Sequence, residues 1–536
     1  MHRLPSEFNA WLLRLVAVGT VIFFSGVAGA QDPASGDPSQ PAARPAASQG
    51  GSGNPIGGLF NRVGGSIGGL FGGVPDKPLL VGLKPTYQRS NEAIGEQRDL
   101  QAKRIQGTGL VHVPELAAYA NQVLSSLKQA SGVEGVPGSV YVLATGELVA
   151  LSTADGNVFV SLGWFRSMES EDELAALLAH ELGHVLLRHH ETNIFGKVQK
   201  QMQNLFAMGA SLRNQLNQID SSTASTAMTP GQKQTLRNTQ YLVQLTEGAL
   251  HPAWNRRQEL DADRIGYDLL HKAGYSASDM FVVLGRIADW EEKQAALRKV
   301  RDAQLEAGIN ELAASGKLDQ AASVGLKNAG QGLVEVLGAK HDDAGKRGEE
   351  LNAYKDKHYA TAPRQARKAA EYGRVQSSRA VGPVVEAYRK TFEAIDQAAL
   401  GSDAAAERQL AEVTGKTSAI AAHSLPNTQM YELMKKQGRE REGLRFLQAS
   451  FKAPEPHWKP FQLAADVYVR QGNRDAVLTV GDTAWRQFQE SPALLPELIQ
   501  MYTASGHTEK VKELVGLCTL TYVEYRDECN RRAARK

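Results

Sequence analysis

The sequence has few cysteines and no excess of either charge. Only 2 of the 536 residues are cysteine, too few for a disulfide scaffold or for a zinc site made of four thiolates. Lys and Arg number 60 against 58 Asp and Glu, so the basic excess of a dedicated nucleic-acid-binding protein is missing. After residue 30, no apolar run is long enough to cross a bilayer. With 42% hydrophobic and 22% charged residues, the composition predicts a folded, multidomain protein that binds no nucleic acid and makes at most peripheral membrane contact.

Residues 1–30 have the pattern of a secretory signal peptide. Arg3 and Arg14 precede an apolar run that is short for a membrane span, and Ala28-Gly29-Ala30 provides the small residues of a cleavage site. We therefore predict export with cleavage after Ala30. An uncleaved membrane anchor is the alternative.

Export also bears on the two cysteines, Cys518 and Cys529, which lie close together near the C-terminus. Because exported proteins fold in an oxidising compartment, we expect this pair to form a disulfide. Two unpaired thiols packed between helices are the alternative.

The motif that indicates chemistry lies on a predicted helix. Ser170 and Glu173 form a capping box at its start, and His180-Glu181-Leu182-Gly183-His184 follows within it. Residues four apart share one face of a helix, so His180 and His184 can both direct a ring nitrogen at one zinc ion. Glu181 then lies beside the metal, where a carboxylate can accept a proton from zinc-bound water. The alternative is a pair of histidines that only pack on a helix.

A zinc site of this kind needs a third protein ligand. His190 is excluded, because Leu187 stands where a glycine would have to turn the chain out of the helix. Glu259 opens a second predicted helix well downstream of His184, and it would leave the fourth tetrahedral position open for water. Asp263, one turn further, can accept the second ring N–H of a ligand histidine. An exposed acidic helix face is the alternative for both acids.

These motifs together are similar to those of a known enzyme family. The segments that carry the resemblance are His180-Glu181-Leu182-Gly183-His184, Arg188-His189-His190, and Glu259 with Ala262 and Asp263. They resemble the gluzincin metallopeptidases of the HtpX and CAAX prenyl protease 1 type. The resemblance implies a zincin-type fold and one zinc per chain. It also implies His180, His184 and Glu259 as ligands, Glu181 as catalytic base, and Asp263 as the support of a ligand.

The chain departs from that family after the catalytic helices. Family members commonly carry a Ser/Thr-His-Pro segment near the active site, and the best match here is Thr361-Ala362-Pro363. Only His358 lies close by, so the role of the family histidine stays open.

The C-terminal region contains a repeat. Gly438, Gly472 and Gly506 recur at one constant interval, which Tyr468 and Tyr502 share. The interval matches the period of about 34 residues that is typical of the tetratricopeptide helix–turn–helix unit. We predict a helical region over residues 376–536, with tetratricopeptide-like repeats from about residue 420; coincidental spacing of helical hairpins is the alternative.

The expected fold is therefore mainly helical, of the α+β class. Residues 31–76 are predicted to be a Pro/Ala/Ser- and Gly-rich linker, and residues 77–375 a zincin-type metalloprotease domain with a small sheet. Two β-rich runs, 139–144 and 157–162, are expected there. The run 156–162 is either an edge strand that docks an extended substrate or a core strand.

Two further segments of that domain are interpreted. Residues 192–250 join the two metal-bearing helices around a Ser/Thr-rich centre and are predicted to form a lid. Residues 291–357 are charged and rich in alanine, and we interpret them as a helical insertion.

Together with export and the repeats, the resemblance implies a zinc endopeptidase of a Gram-negative periplasm. Its substrates would be unfolded or misassembled envelope proteins, and its repeats would bind outer-membrane assembly components. A periplasmic adaptor or chaperone with a vestigial zinc site is the rival hypothesis. The intact Glu181 argues against it, because a purely structural zinc site has no use for a general base.

Overall fold

The computed structural model describes residues 73–107, 109–191, 256–293, 344–399 and 401–534. The predicted signal peptide, most of the linker and the predicted lid lie outside the described residues, as do residues 294–343 of the predicted insertion.

The N-terminal part of the chain is built from helices around one small sheet. Its helices and strands are α1 (Glu96–Gln106), α2 (Pro114–Ser131), β1 (Val140–Leu143), β2 (Ala150–Ser152), β3 (Val158–Ser161), α3 (Leu162–Ser167), α4 (Glu171–Leu186), α5 (Arg256–Ala273), α6 (Ala344–His358) and α7 (Ala369–Gln376). Residues 279–293 are also helical. The sequence shows a helical pattern over residues 256–289 that is predicted to break at Gly274. Helix α5 ends directly before this glycine, which has a φ of +73°.

The sheet has three strands in the order β1-β3-β2. Strand β3 pairs in parallel with β1 and antiparallel with β2, and all four of its residues are buried. The prediction of an edge strand at residues 156–162 is therefore wrong, and the core-strand alternative is confirmed. A continuous apolar run suits the middle of a sheet, because both of its faces are covered. Strand β2, which has three residues, was not predicted.

Helices α4 and α5 cross closely, and glycine makes the crossing possible. Ser170 caps the start of α4, since its Oγ accepts the backbone N–H of Glu173. The second bond of the predicted capping box is not formed, because the carboxylate of Glu173 pairs with Arg286 and Arg367 instead. A Cβ at Gly183 of α4 would lie 2.9 Å from the carbonyl oxygen of Ala262 in α5. A Cβ at Gly266 of α5 would lie 3.1 Å from the backbone nitrogen of His180. The two backbones thus approach more closely than side chains would allow.

The C-terminal part consists of consecutive helices. They are α8 (Gly382–Ala399), α9 (Asp403–Val413), α10 (Ser424–Lys436), α11 (Glu440–Ser450), α12 (Lys459–Arg470), α13 (Arg474–Gln487), α14 (Leu495–Ala504), α15 (Thr508–Leu520) and α16 (Arg526–Ala534). The three repeated glycines, Gly438, Gly472 and Gly506, lie in the turns of the hairpins α10–α11, α12–α13 and α14–α15. Each has a φ between +70° and +79°, which favours glycine. The constant interval between these glycines thus corresponds to helical hairpins, and their assignment to the tetratricopeptide class stays a prediction.

A disulfide joins Cys518 of α15 to Cys529 of α16, and both residues are fully buried. It ties together the last two described helices, both of which also pack against α14.

The N- and C-terminal parts pack against each other. One buried cluster runs from α2 and α4 to Leu433 and Met434 of α10. A second contains Ile105 of α1 together with side chains of α12 to α16. The buried Arg104 donates from Nε to the carbonyl oxygen of Pro456. The predicted mainly helical α+β class is confirmed, and among the described helices none is long and apolar enough to cross a membrane.

Candidate metal centre

Three buried side chains from α4 and α5 direct their donor atoms at one point. Nε2 of His180 lies 3.1 Å from Nε2 of His184. The carboxylate of Glu259 lies 3.6 Å from each, through Oε2 to His180 and Oε1 to His184. These are the three residues predicted as ligands, and the structure brings them together.

The spacing of the donor atoms suits zinc. Zn–N and Zn–O bonds of about 2.0–2.1 Å in a tetrahedron separate neighbouring ligand atoms by roughly 3.3 Å. The observed separations of 3.1 and 3.6 Å lie on either side of this value. Two imidazoles and one carboxylate are also the donor set of catalytic zinc sites that keep a fourth position open. The residues present therefore fit zinc.

The second nitrogen of His180 is held by the predicted partner. Its Nδ1 donates to Oδ1 of Asp263 over 2.8 Å, which leaves the Nε2 lone pair facing the other ligands. Asp263 lies one turn after Glu259 on α5, so a single helix provides both the predicted ligand and the group that holds His180.

Arg347 of α6 completes this arrangement, and sequence analysis missed it. Its Nε and Nη2 donate to the two carboxylate oxygens of Asp263 over 2.8 and 2.7 Å. Its Nη1 lies 2.8 Å from Oε2 of Glu259. Because Arg347 is buried, its positive charge is balanced by the carboxylates of Asp263 and Glu259 and not by water. Arg347 lies within residues 291–357, which we interpreted as a helical insertion, so this segment contributes to the centre. A lone arginine in a charged helix offered no signal to find it.

The electrostatics of the cluster differ between its two histidines. Burial, followed by the charge of His180, holds the pKa of His184 well below its usual value, so this ring is neutral as a zinc ligand must be. Burial also acts to lower the pKa of His180, but the hydrogen bond and charge of Asp263 outweigh it and raise the pKa. Burial acts to raise the pKa of Asp263, whereas Arg347 and His180 lower it, and the net shift is downward.

A short 3-10 turn, His189–Glu191, follows α4 and lies against the site. Nδ1 of His189 lies 2.9 Å from Nδ1 of His184. His190, which the sequence excludes as a ligand, bonds instead through Nε2 to the carbonyl oxygen of Ser152 in β2. Burial lowers the pKa of His189 to about 3 and that of His190 to about 4, so both rings are neutral at pH 7.

The remaining predicted residues are also located. Glu181 lies on α4 directly after His180 and is buried. His358, considered in place of the missing family histidine, bonds through Nε2 to the carbonyl oxygen of Pro75 and packs against Tyr354. These contacts hold its ring against the N-terminal segment.

Comparison with known proteins agrees with this geometry. Residues 114–354, which contain all three predicted ligands, match the sequence model of Peptidase family M48. They form an M48 domain. The prediction of a gluzincin metallopeptidase is confirmed for this part of the chain. The predicted zincin-type fold follows from it.

Individual relatives match about a third of the chain. The beta-barrel assembly-enhancing protease of Escherichia coli O157:H7 is 27% identical over 210 residues, 38% of this chain and 40% of that protein. The protein of that name in Yersinia pestis is 29% identical over 181 residues, 34% of each chain. Metalloprotease LoiP of Escherichia coli K12 is 29% identical over 181 residues, 33% of this chain and 63% of LoiP. The chain therefore spans less than half the length of these two assembly-enhancing proteases.

Proposed function

We propose that this protein is a zinc-dependent endopeptidase of the bacterial periplasm that hydrolyses misfolded or misassembled envelope proteins. The observation that carries the proposal is the convergence of His180, His184 and Glu259 within 3.6 Å, in an M48 domain whose α4 also carries Glu181. His180 and His184 would hold one zinc through Nε2, and Glu259 through its carboxylate.

Each residue of the site has a separate role in the proposed hydrolysis. Zinc, when bound, supplies Lewis acidity that acidifies water and polarises a carbonyl group. The carboxylate of Glu181 accepts the proton of the attacking water and delivers it to the nitrogen of the leaving amine. Asp263 holds the ring of His180, and Arg347 holds Asp263 and Glu259.

Location and substrates are proposed from two further observations. Residues 1–30 carry the signal-peptide pattern, and several relatives are named for beta-barrel assembly. We propose that the C-terminal hairpins bind outer-membrane assembly components, since stacked hairpins create grooves for extended or helical segments. Photo-crosslinking from exposed hairpin positions of the full chain, in envelopes of the source bacterium, tests this partner class.

Cleavage of unfolded casein tests the activity itself. We expect the purified full chain to cleave casein, to stop when a chelator removes zinc, and to resume when zinc is returned. Glu181→Gln should keep zinc and stability but lose at least about 10²-fold in rate, because it removes only the proton acceptor. Glu524→Gln, on an exposed residue near the C-terminus, is the matched control and should cleave normally.

The outcome separates the enzyme from its rival. Near-normal cleavage by Glu181→Gln would exclude Glu181 as the base. A protein that prevents casein aggregation equally well with and without chelator, and cleaves nothing, would instead be an adaptor or chaperone.

A further inference from the structure

His184 contacts a second histidine, His189, on the side of its ring that faces away from the predicted metal position. Nδ1 of His189 lies 2.9 Å from Nδ1 of His184, with the ring planes 72° apart. Both rings are buried. The other nitrogen of His184, Nε2, faces His180 and Glu259. The two nitrogens of His184 thus serve different partners on different sides of the ring.

The backbone turns sharply to place His189 there. Helix α4 ends at Leu186, and two residues later Arg188 adopts a φ of +55°, in the left-handed region. For a residue other than glycine this conformation is strained, so the surroundings must hold it. The reversal folds the 3-10 turn back onto the helix, which brings His189 next to a residue only five positions earlier.

Several bonds hold the turn in this conformation. Arg188 forms an ion pair with Glu191. Glu191 Oε1 accepts the backbone N–H of Asn91 over 3.0 Å, which anchors the turn to the segment before α1. Gln258, the neighbour of Glu259, donates from Nε2 to the carbonyl oxygen of His189 over 3.5 Å. The position of His189 is therefore coupled to both metal-bearing helices.

We propose that His189 is a positioning residue for the ligand His184, accepting the Nδ1–H of His184 so that its Nε2 lone pair is directed at the metal. The inference rests on the zinc site of the proposed function. A neutral imidazole carries one N–H and one lone pair, so the proton must sit on Nδ1 when Nε2 binds a metal. An acceptor at Nδ1 fixes this tautomer and the orientation of the ring. His189 then carries its own proton on Nε2.

The two ligand histidines would therefore be supported by different chemistry. His180 donates to a carboxylate, Asp263, whereas His184 donates to a neutral ring. His189 is not positioned as a fourth ligand, because it contacts the nitrogen of His184 that does not face the other ligands. Plain packing of an aromatic ring beside α4 is the competing explanation.

Substitutions that keep or remove the acceptor distinguish these explanations. In the full chain, His189→Asn places an amide oxygen close to the former Nδ1, whereas His189→Leu fills similar space with no acceptor. We expect His189→Leu to weaken zinc binding by about 10- to 100-fold and His189→Asn by no more than about threefold. Zinc affinity is measured by competition with a chromogenic chelator. The visible absorption of the cobalt-substituted protein should change in His189→Leu and be restored in His189→Asn.

His112→Leu is the matched control. It replaces an exposed histidine outside this turn and should leave zinc affinity and the cobalt spectrum unchanged. If His189→Leu does not fold, His189→Gln takes its place, because the longer side chain carries its amide to the position of Nε2 instead of Nδ1.

Two results would overturn the inference about His189 but leave the proposed function intact. One is wild-type zinc affinity and an unchanged cobalt spectrum in His189→Leu. The other is equal loss in His189→Asn and His189→Leu, since the retained acceptor would then have no effect. Failure of the unsubstituted protein to bind zinc would overturn the proposed function and this inference with it.

Discussion

Arg347 shows how one side chain makes a buried acidic site tolerable. Glu259 and Asp263 are fully buried carboxylates, and a buried charge is costly unless it is paired. The guanidinium group contacts both at 2.7–2.8 Å, and its planar fork matches the carboxylate of Asp263. The two carboxylates raise the pKa of Arg347 against the effect of burial, so it stays charged. Breaking such a buried pair from one side leaves an uncompensated charge.

Arg347→Met should therefore lower the free energy of unfolding by about 3–5 kcal/mol, as expected for loss of one partner of a buried ion pair. Zinc affinity should fall as well, because Asp263 would no longer be held against His180. Urea denaturation and zinc competition measure the two effects. Lys346→Met, on the exposed neighbour, is the control and should change stability by less than about 0.5 kcal/mol. Equal stability of the two variants would contradict the assigned role of Arg347.

At the scale of elements, the site depends on how closely α4 and α5 approach. Sequence periodicity predicted both helices and the break at Gly274, because helical patterning is a local property. It did not predict β2, which is three fully buried residues without alternation. It also misplaced β3 as a possible edge strand, because the number of pairing partners is set by neighbours far along the chain. The close approach at Gly183 likewise depends on a distant residue, Ala262.

Gly183→Ala should push the two helices apart. The new methyl group would lie 2.9 Å from a backbone carbonyl oxygen, which cannot move as a flexible side chain can. Overpacking of this kind costs about 1–3 kcal/mol, more than the gain in helix propensity is expected to return. Zinc affinity should decrease too, since Glu259 lies on the displaced helix.

Gly348→Ala in α6 is the matched control, because a Cβ there meets nothing within 4 Å. It should stabilise the protein by up to about 1 kcal/mol through helix propensity and leave zinc binding unchanged. The two variants are compared by thermal unfolding and zinc competition. A Gly183→Ala protein with undiminished stability and zinc affinity would refute the close-crossing argument.

At the scale of the whole molecule, buried histidines lie where the N- and C-terminal parts meet. His457, in the connection before α12, is buried against Gly109. A Cβ added at Gly109 would lie 3.1 Å from the Cβ of His457. Burial, with the nearby charges of Lys459 and Arg104, lowers the pKa of His457 to about 3. The unfolded chain has the usual histidine pKa of about 6.5, so between these values it binds a proton that the folded protein does not.

Stability should therefore fall as the pH drops below about 6.5, and the contribution of His457 should continue to fall until about pH 3. The slope for one such histidine approaches about 1.4 kcal/mol per pH unit, or about 2 kcal/mol between pH 7 and pH 5. Urea denaturation at the two pH values should show His457→Leu losing about 2 kcal/mol less than the wild type. His423, whose pKa burial lowers to about 4, is present in both proteins and cancels in the comparison. If wild type and His457→Leu differ in unfolding free energy by the same amount at both pH values, His457 has the same pKa in the folded and the unfolded protein, and the prediction is wrong.

The sequence by itself determined the local part of the centre. His180, Glu181 and His184 share one helix, and their relative placement follows from the helical period alone. The pattern of Glu259 and Asp263 is local in the same way. Spacing could therefore identify these residues, together with the resemblance to a gluzincin.

Only the tertiary structure decided how the local pieces combine. Arg347 comes from a third helix, far along the chain from Asp263, and nothing in its charged surroundings distinguishes a buried arginine from an exposed one. His189 reaches His184 only because Arg188 adopts a left-handed conformation that bonds to Asn91 and Gln258 help to hold. Helical period acts over a few residues, whereas burial, pairing and backbone reversal depend on contacts between distant segments. For this reason the cluster of His180, His184 and Glu259 could be predicted from sequence, whereas the groups that hold these side chains could be identified only in part.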